Sequence, residues 1–126
     1  MPSSKRDTAK AEQLIALGYP EVEPVLPQIL EWLQDLNWPV AFVFRRFLIE
    51  IGAPLAPYVR AVLLTNDDRW KYSLMIGVVR DSPRMAQALR QDLERIARTP
   101  TAGELAEEVS EVSALVLNSL DEGTST

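Results

Sequence analysis

A pair of prolines spaced three apart occurs twice in this chain, and it constrains the fold more than any other feature. Pro24-x-x-Pro27 returns as Pro54-x-x-Pro57, thirty residues later. Proline is tolerated in the first turn of a helix, where its missing N–H costs no hydrogen bond, and is excluded from a helix interior or a central strand. Each pair therefore marks a helix start. After the first pair, Val25, Leu26, Ile29, Leu30, Leu33 and Leu36 follow helical spacing. Beyond the next turn the offset becomes thirty-two. Asp35 maps onto Asp67, Trp38 onto Trp70, Phe44 onto Ile76 and Phe47 onto Val79. Each unit reads as a proline-started helix, an acidic turn, a tryptophan and a second helix. One such unit cannot bury its own apolar face, and stacking about three of them can.

The remaining punctuation is also helical. Asp7 is placed to cap a first helix ending at Leu17, with Gly18 beyond it. Asp35 or Asn37 is expected to cap the helix that carries Val40, Val43, Phe44, Phe47, Leu48 and Ile51, and Gly52 ends it. A fourth helix reaches Leu64. A fifth carries Trp70, Leu74, Met75, Val78 and Val79. Ser82-Pro83 opens a sixth with Met85, Leu89, Leu93 and Ile96. Thr101 and Glu104 have capping-box spacing for a last helix running to about Leu120. No segment shows a convincing strand alternation. The expectation is an all-α fold with seven helices: a leading helix and three antiparallel pairs. A flexible N-terminus is expected over 1–6, a single helical domain over 7–120 and a flexible tail over 121–126.

Asp35-Leu36-Asn37-Trp38-Pro39-Val40-Ala41, closing with Leu48-Ile49-Glu50-Ile51-Gly52, resembles a HEAT repeat. That resemblance implies a short HEAT-like α-solenoid. The arginine that often follows the valine in HEAT repeats is replaced by Ala41 here and by Ser73 in the second unit, so the aspartate–arginine ladder is not carried over. A narrower resemblance covers nearly the whole chain. Glu31-Trp32-Leu33-Gln34-Asp35-Leu36-Asn37-Trp38-Pro39-Val40-Ala41, then Asp67-Asp68-Arg69-Trp70-Lys71-Tyr72, then Pro100-Thr101 with Glu104, Glu107 and Glu108, resemble the bacterial family called domain of unknown function 5071. The resemblance implies a fold and no particular activity. By analogy, small helical-repeat proteins of this kind suit antitoxin or immunity roles in bacterial conflict.

Composition narrows the chemistry. The 126 residues include neither cysteine nor histidine. Thiol chemistry, disulfides, cysteine-type zinc sites and any Ser-His or Cys-His catalyst are therefore excluded. The net charge is -5, with 13 basic against 18 acidic residues. That balance argues against nucleic acid, whose binding rests on neutralising phosphates, and suits a basic protein partner. The first ten residues have no apolar stretch of the secretory kind. Val40 to Leu48 is interrupted by Arg45 and Arg46 and falls short of the roughly 20 apolar residues of a membrane span. A cytoplasmic protein without cofactor or metal is expected.

The candidate partner-binding residues are Asp35, Asn37, Trp38, Asp67, Asp68, Trp70, Lys71, Tyr72, Glu104, Glu107, Glu108 and Glu111. Trp38 and Trp70 sit at equivalent places beside inter-helix turns. They serve either as wedges between helix pairs, the reading favoured here, or as aromatic anchors on a binding rim. Asp35, Asp67 and Asp68 serve as helix caps or as an acidic edge. Glu104, Glu107, Glu108 and Glu111 have the spacing of one acidic stripe on the last helix, either solvated or facing a basic surface. The expected function is a non-enzymatic protein-binding module of the immunity type, blocking a bacterial toxin. A structural adaptor is one alternative. The other is an enzyme or small-ligand protein built on Asp67, Asp68, Trp70, Lys71 and Tyr72, which requires a deep pocket holding Asp67, Lys71 and Tyr72.

Overall fold

The computed structural model describes residues 1–124. They fold into α-helices joined by short turns, with no strand among them. The helices are α1 (Thr8–Leu17), α2 (Leu26–Glu31), α3 (Pro39–Ile51), α4 (Ala56–Leu63), α5 (Asp68–Gly77), α6 (Pro83–Ala88), α7 (Arg90–Arg98), α8 (Ala102–Ala106) and α9 (Val109–Thr124). The fold is all-α, and several of the expected helices are divided.

The repeated prolines act alike in both copies. Pro24 lies in a 3₁₀ turn, Glu23–Val25, that leads into α2, and Pro54 lies in the equivalent turn, Ala53–Leu55, before α4. Pro27 and Pro57 then fall in the first turn of their α-helices, where no intrahelical donor is lost. Gly52 closes α3 with a φ of 72°, a left-handed conformation that a Cβ disfavours. Asp7 caps α1, its carboxylate accepting from the Lys10 amide at 3.3 Å.

Buried apolar side chains from most of the elements form one continuous cluster, including Leu26, Leu30 and Leu33 from the first unit and Phe44 and Leu48 from α3. Leu74, Met75, Leu89, Leu93 and Val109 continue it. Each large side chain fully removed from water contributes roughly 1.5–3 kcal/mol. Helices α2 and α4 pack side by side, α4 packs against α6, α1 against α3, and α9 against both α5 and α7. Side-chain hydrogen bonds join residues 32 to 35 positions apart. Arg45 Nε donates to the Gly77 carbonyl, Arg60 Nε to Asp92, Ser82 Oγ to the Ile49 carbonyl and Tyr58 Oη to Glu23, spanning 32, 32, 33 and 35 residues.

Three expectations are corrected. The cap of α3 is Trp38, which makes no side-chain cap bond, and not Asp35 or Asn37. Pro39 fixes the first helical position, and Asp35 folds back to accept the Asn37 amide at 2.9 Å. The sixth helix breaks at Leu89 into α6 and α7. The last helix breaks at Glu108, whose φ is 62°, into α8 and α9. On an unbroken helix Glu104 and Glu111 would share a face. The break turns Glu104 into the interior and leaves Glu111 exposed, while Val109, Val112 and Val116 are buried. The single acidic stripe therefore does not exist. α9 continues to Thr124, past Leu120, and the last two positions of the expected tail lie outside the described residues.

Candidate functional site

Helix α5 distributes the predicted residues among three environments. Its N-terminus is capped by Asp67, an exposed residue whose carboxylate accepts from the Trp70 amide at 3.2 Å. Successive residues then project about 100° apart around the axis, so neighbours in sequence part company in space.

Lys71 points inward. It lies in phase with Leu74, Met75 and Val78 and is buried with them. Its Nζ is 3.0 Å from Asp68 Oδ1 and 3.1 Å from Glu104 Oε2. Glu104 is wholly buried, and each of its oxygens is satisfied. Arg95 of α7 grips it with two parallel bonds, Nη1 to Oε1 at 2.8 Å and Nη2 to Oε2 at 2.7 Å. The Thr101 amide adds a bond to Oε1 at 2.8 Å, and the Thr101 hydroxyl accepts from the Glu104 amide at 3.1 Å. The expected capping box is present, and its glutamate doubles as the centre of a buried ion network. Asp68, Lys71, Arg95 and Glu104 carry two charges of each sign, so the cluster is neutral. The Arg95 bonds hold the Glu104 carboxyl at about 2, against the desolvation that would raise it, with help from the Thr101 amide and Lys71. The same bonds push the Arg95 guanidinium further up. Gly103 makes room for this arrangement, since a Cβ there would collide with Asp68 Oδ2.

Tyr72 points the other way, into a shallow hollow of about 540 Å³. The hollow also gathers Asp35, Asn37 and Glu107, with Arg69 and Ser73 beside them. Four of the predicted residues, drawn from the turn before α3, α5 and the α8–α9 junction, thus meet in one open depression. Asp35 enters no ion pair, while Glu107 has the Arg69 guanidinium at 3.6 Å, so the hollow is net negative. The Ser73 hydroxyl closes one wall by donating to the Gln34 carbonyl at 3.2 Å.

The tryptophans part from one another despite their equivalent positions. Trp38 stands edge-on to Trp32, centroids 6.0 Å apart at 71°, half-buried against the core. Trp70 is also half-buried and donates Nε1–H to the Leu30 carbonyl at 2.9 Å. It thereby adds a second donor to a carbonyl at the C-terminal end of α2 that also accepts the Trp32 amide. Glu108 and Glu111 are exposed and outside the hollow. A pocket holding Asp67, Lys71 and Tyr72 together is not formed: Asp67 is on the surface, Lys71 is interior and Tyr72 lines a hollow that contains neither.

Arg95 was not among the expected site residues. Its place beside Glu104 depends on the turn between α7 and α8, which local spacing does not reveal. Lys71 carried a clearer signal, being in register with the apolar positions of α5. Among the described residues, no group of three or more His, Cys, Asp or Glu is placed to hold a metal ion, and no helix is long and apolar enough to cross a membrane.

These features define an all-α protein of short helices with two successive proline-started units. The chain belongs to the family described as Domain of unknown function (DUF5071), whose model matches residues 1–117. No curated protein matches it.

Proposed function

We propose that this protein is a non-enzymatic protein-binding module of the immunity type, which neutralises a basic bacterial toxin in the cytoplasm, and that its helix pairs stack as a short HEAT-like solenoid. The carrying observation is the contrast in how charge is used around α5. The only lysine of that helix is buried in a neutral ion network, while the open hollow presents Asp35, Asn37, Tyr72 and Glu107. Tyrosine with carboxylates and amides on an accessible surface suits recognition of a cationic protein face. Further carboxylates at Glu12, Glu21, Glu31, Glu108 and Glu111 are exposed and enter no ion pair, extending the same sign of charge. The stacked arrangement is supported by the hydrogen bonds about one repeat long and by the matching turns at Pro24 and Pro54.

The test is co-expression in the native host with each neighbouring gene product that arrests growth. Protection by the wild-type chain, weakened by Asp35→Lys combined with Glu107→Lys while the protein stays folded, is the expected outcome. A charge-reversed protein that protects as well as wild type removes the hollow from the mechanism. The absence of any toxic gene product against which the chain protects removes the immunity reading.

A further inference from the structure

A second concavity takes in Trp70 but no other expected partner-binding residue. Helices α2 and α4, which follow the two Pro-x-x-Pro pairs, run side by side and leave a groove of about 460 Å³ between them. Pro27 and Pro57, which correspond in the repeat, line it together. Buried Leu30 and Val62 also line it, and the half-buried rings of Tyr58 and Trp70 offer aromatic surface. A smaller hollow formed with Pro24 and Glu23 adjoins it, since Pro27 and Tyr58 belong to both. The charged side chains lining this run are Glu31 and Glu23, and no lysine or arginine lines it. Glu31 is exposed and enters no ion pair, and Glu23 accepts the Tyr58 hydroxyl at 3.0 Å. The nearest arginine on α4, Arg60, is turned away to Asp92 at 3.0 Å and the Ala88 carbonyl at 3.2 Å.

This combination is selective. Aromatic faces attract cations through their quadrupole, and a guanidinium can lie flat on such a face while its edge pairs with a carboxylate. Prolines supply a rigid apolar wall that loses little freedom on binding. We infer that the α2–α4 groove docks an arginine-bearing segment of a protein partner, its guanidinium stacked on Tyr58 or Trp70 and paired with Glu31. The inference rests on the protein-binding reading above and adds a second contact surface, distinct from the Asp35–Tyr72 hollow.

The full chain is immobilised and panned against a phage-displayed library of short random peptides, and enriched peptides are then titrated in solution. Arginine-containing sequences are expected to dominate, and to move the indole N–H resonance of Trp70 while leaving that of Trp38 in place. Ala61→Arg fills the groove from an exposed helical position, and Glu31→Lys reverses its rim charge. Each is expected to weaken binding at least about tenfold, with circular dichroism and melting temperature unchanged. Glu12→Lys, the same charge change on α1, leaves binding unaltered. Enrichment of no peptide, or of peptides without arginine, overturns the inference. So does binding that survives both groove variants, or falls equally with Glu12→Lys. Self-association of the wild-type chain that Ala61→Arg abolishes assigns the groove to a second copy and likewise overturns it. The protection assay judges the immunity reading independently, because the hollow variants leave the groove intact.

Discussion

Helix α5 carries two polar clusters built from similar residues. Toward α7 and α8, Asp68 and Arg95 flank the buried Lys71 and Glu104, and every charge there has an opposite within 3.1 Å. On the other side, Asp35, Asn37, Tyr72 and Glu107 surround an open hollow in which the single cation, Arg69, stands 3.6 Å from one carboxylate. Removing charges from water is costly and is offset by pairing, so this set is neutral, with the buried Asp68 Oδ1 lacking a hydrogen bond though Lys71 Nζ stands 3.0 Å away. The exposed set has no such constraint and keeps a surplus of negative charge. The first cluster serves the fold. The second is left able to engage something else.

The largest effect that sharpens this contrast is expected from Glu104→Gln. It leaves Lys71 and Arg95 facing a neutral amide and should lower stability by about 3 kcal/mol, toward the smaller end because Arg95 keeps some access to water. Urea unfolding at neutral pH measures it. The pH dependence follows from the same group. The folded Glu104 carboxyl lies at about 2, below its ordinary 4.5. Its ionised pairing therefore stabilises the protein above about pH 5 and is lost as pH falls toward 2. The urea midpoint of the wild type should drop through that window, and that of Glu104→Gln should change less.

Gly103→Ala comes next. The added Cβ displaces Asp68 from Lys71, at about 2 kcal/mol by thermal melting. Trp70→Phe keeps an aromatic ring but removes the indole bond to the Leu30 carbonyl, and should cost about 1 kcal/mol. In the hollow, Asp35→Asn and Tyr72→Phe should alter stability by less than about 0.5 kcal/mol, while reducing protection in the co-expression assay. A large loss of stability at Tyr72 would dissolve the distinction between the two clusters.

Much of the fold was legible because its signals are local. Proline spacing, Gly18, Gly52, the Asp7 cap and the Thr101–Glu104 box each act within one turn. The helix breaks were not legible. Glu108 adopts a left-handed conformation without being glycine or asparagine, so nothing at that position announces it. That one residue undid the acidic stripe and concealed the burial of Glu104. The grouping of the candidate residues was not legible either. Asp35 and Tyr72 line one hollow, whereas helical rotation separates Asp68, Trp70 and Lys71 from it. Arg95 was hidden because its partner arrives from beyond a turn of unforeseen direction.

The hydrogen bonds that span about one repeat have a kinetic consequence. The bond from Trp70 to Leu30 closes 40 residues, and those from Arg45 and Arg60 close 32 each. The entropy lost on closing a loop grows only with the logarithm of its length, about 0.6 kcal/mol for each doubling. These ties therefore demand nearly equal, modest searches, none needing the two chain ends to meet. The loop cost of forming any one of them before the others is therefore similar, so no single tie dominates the search.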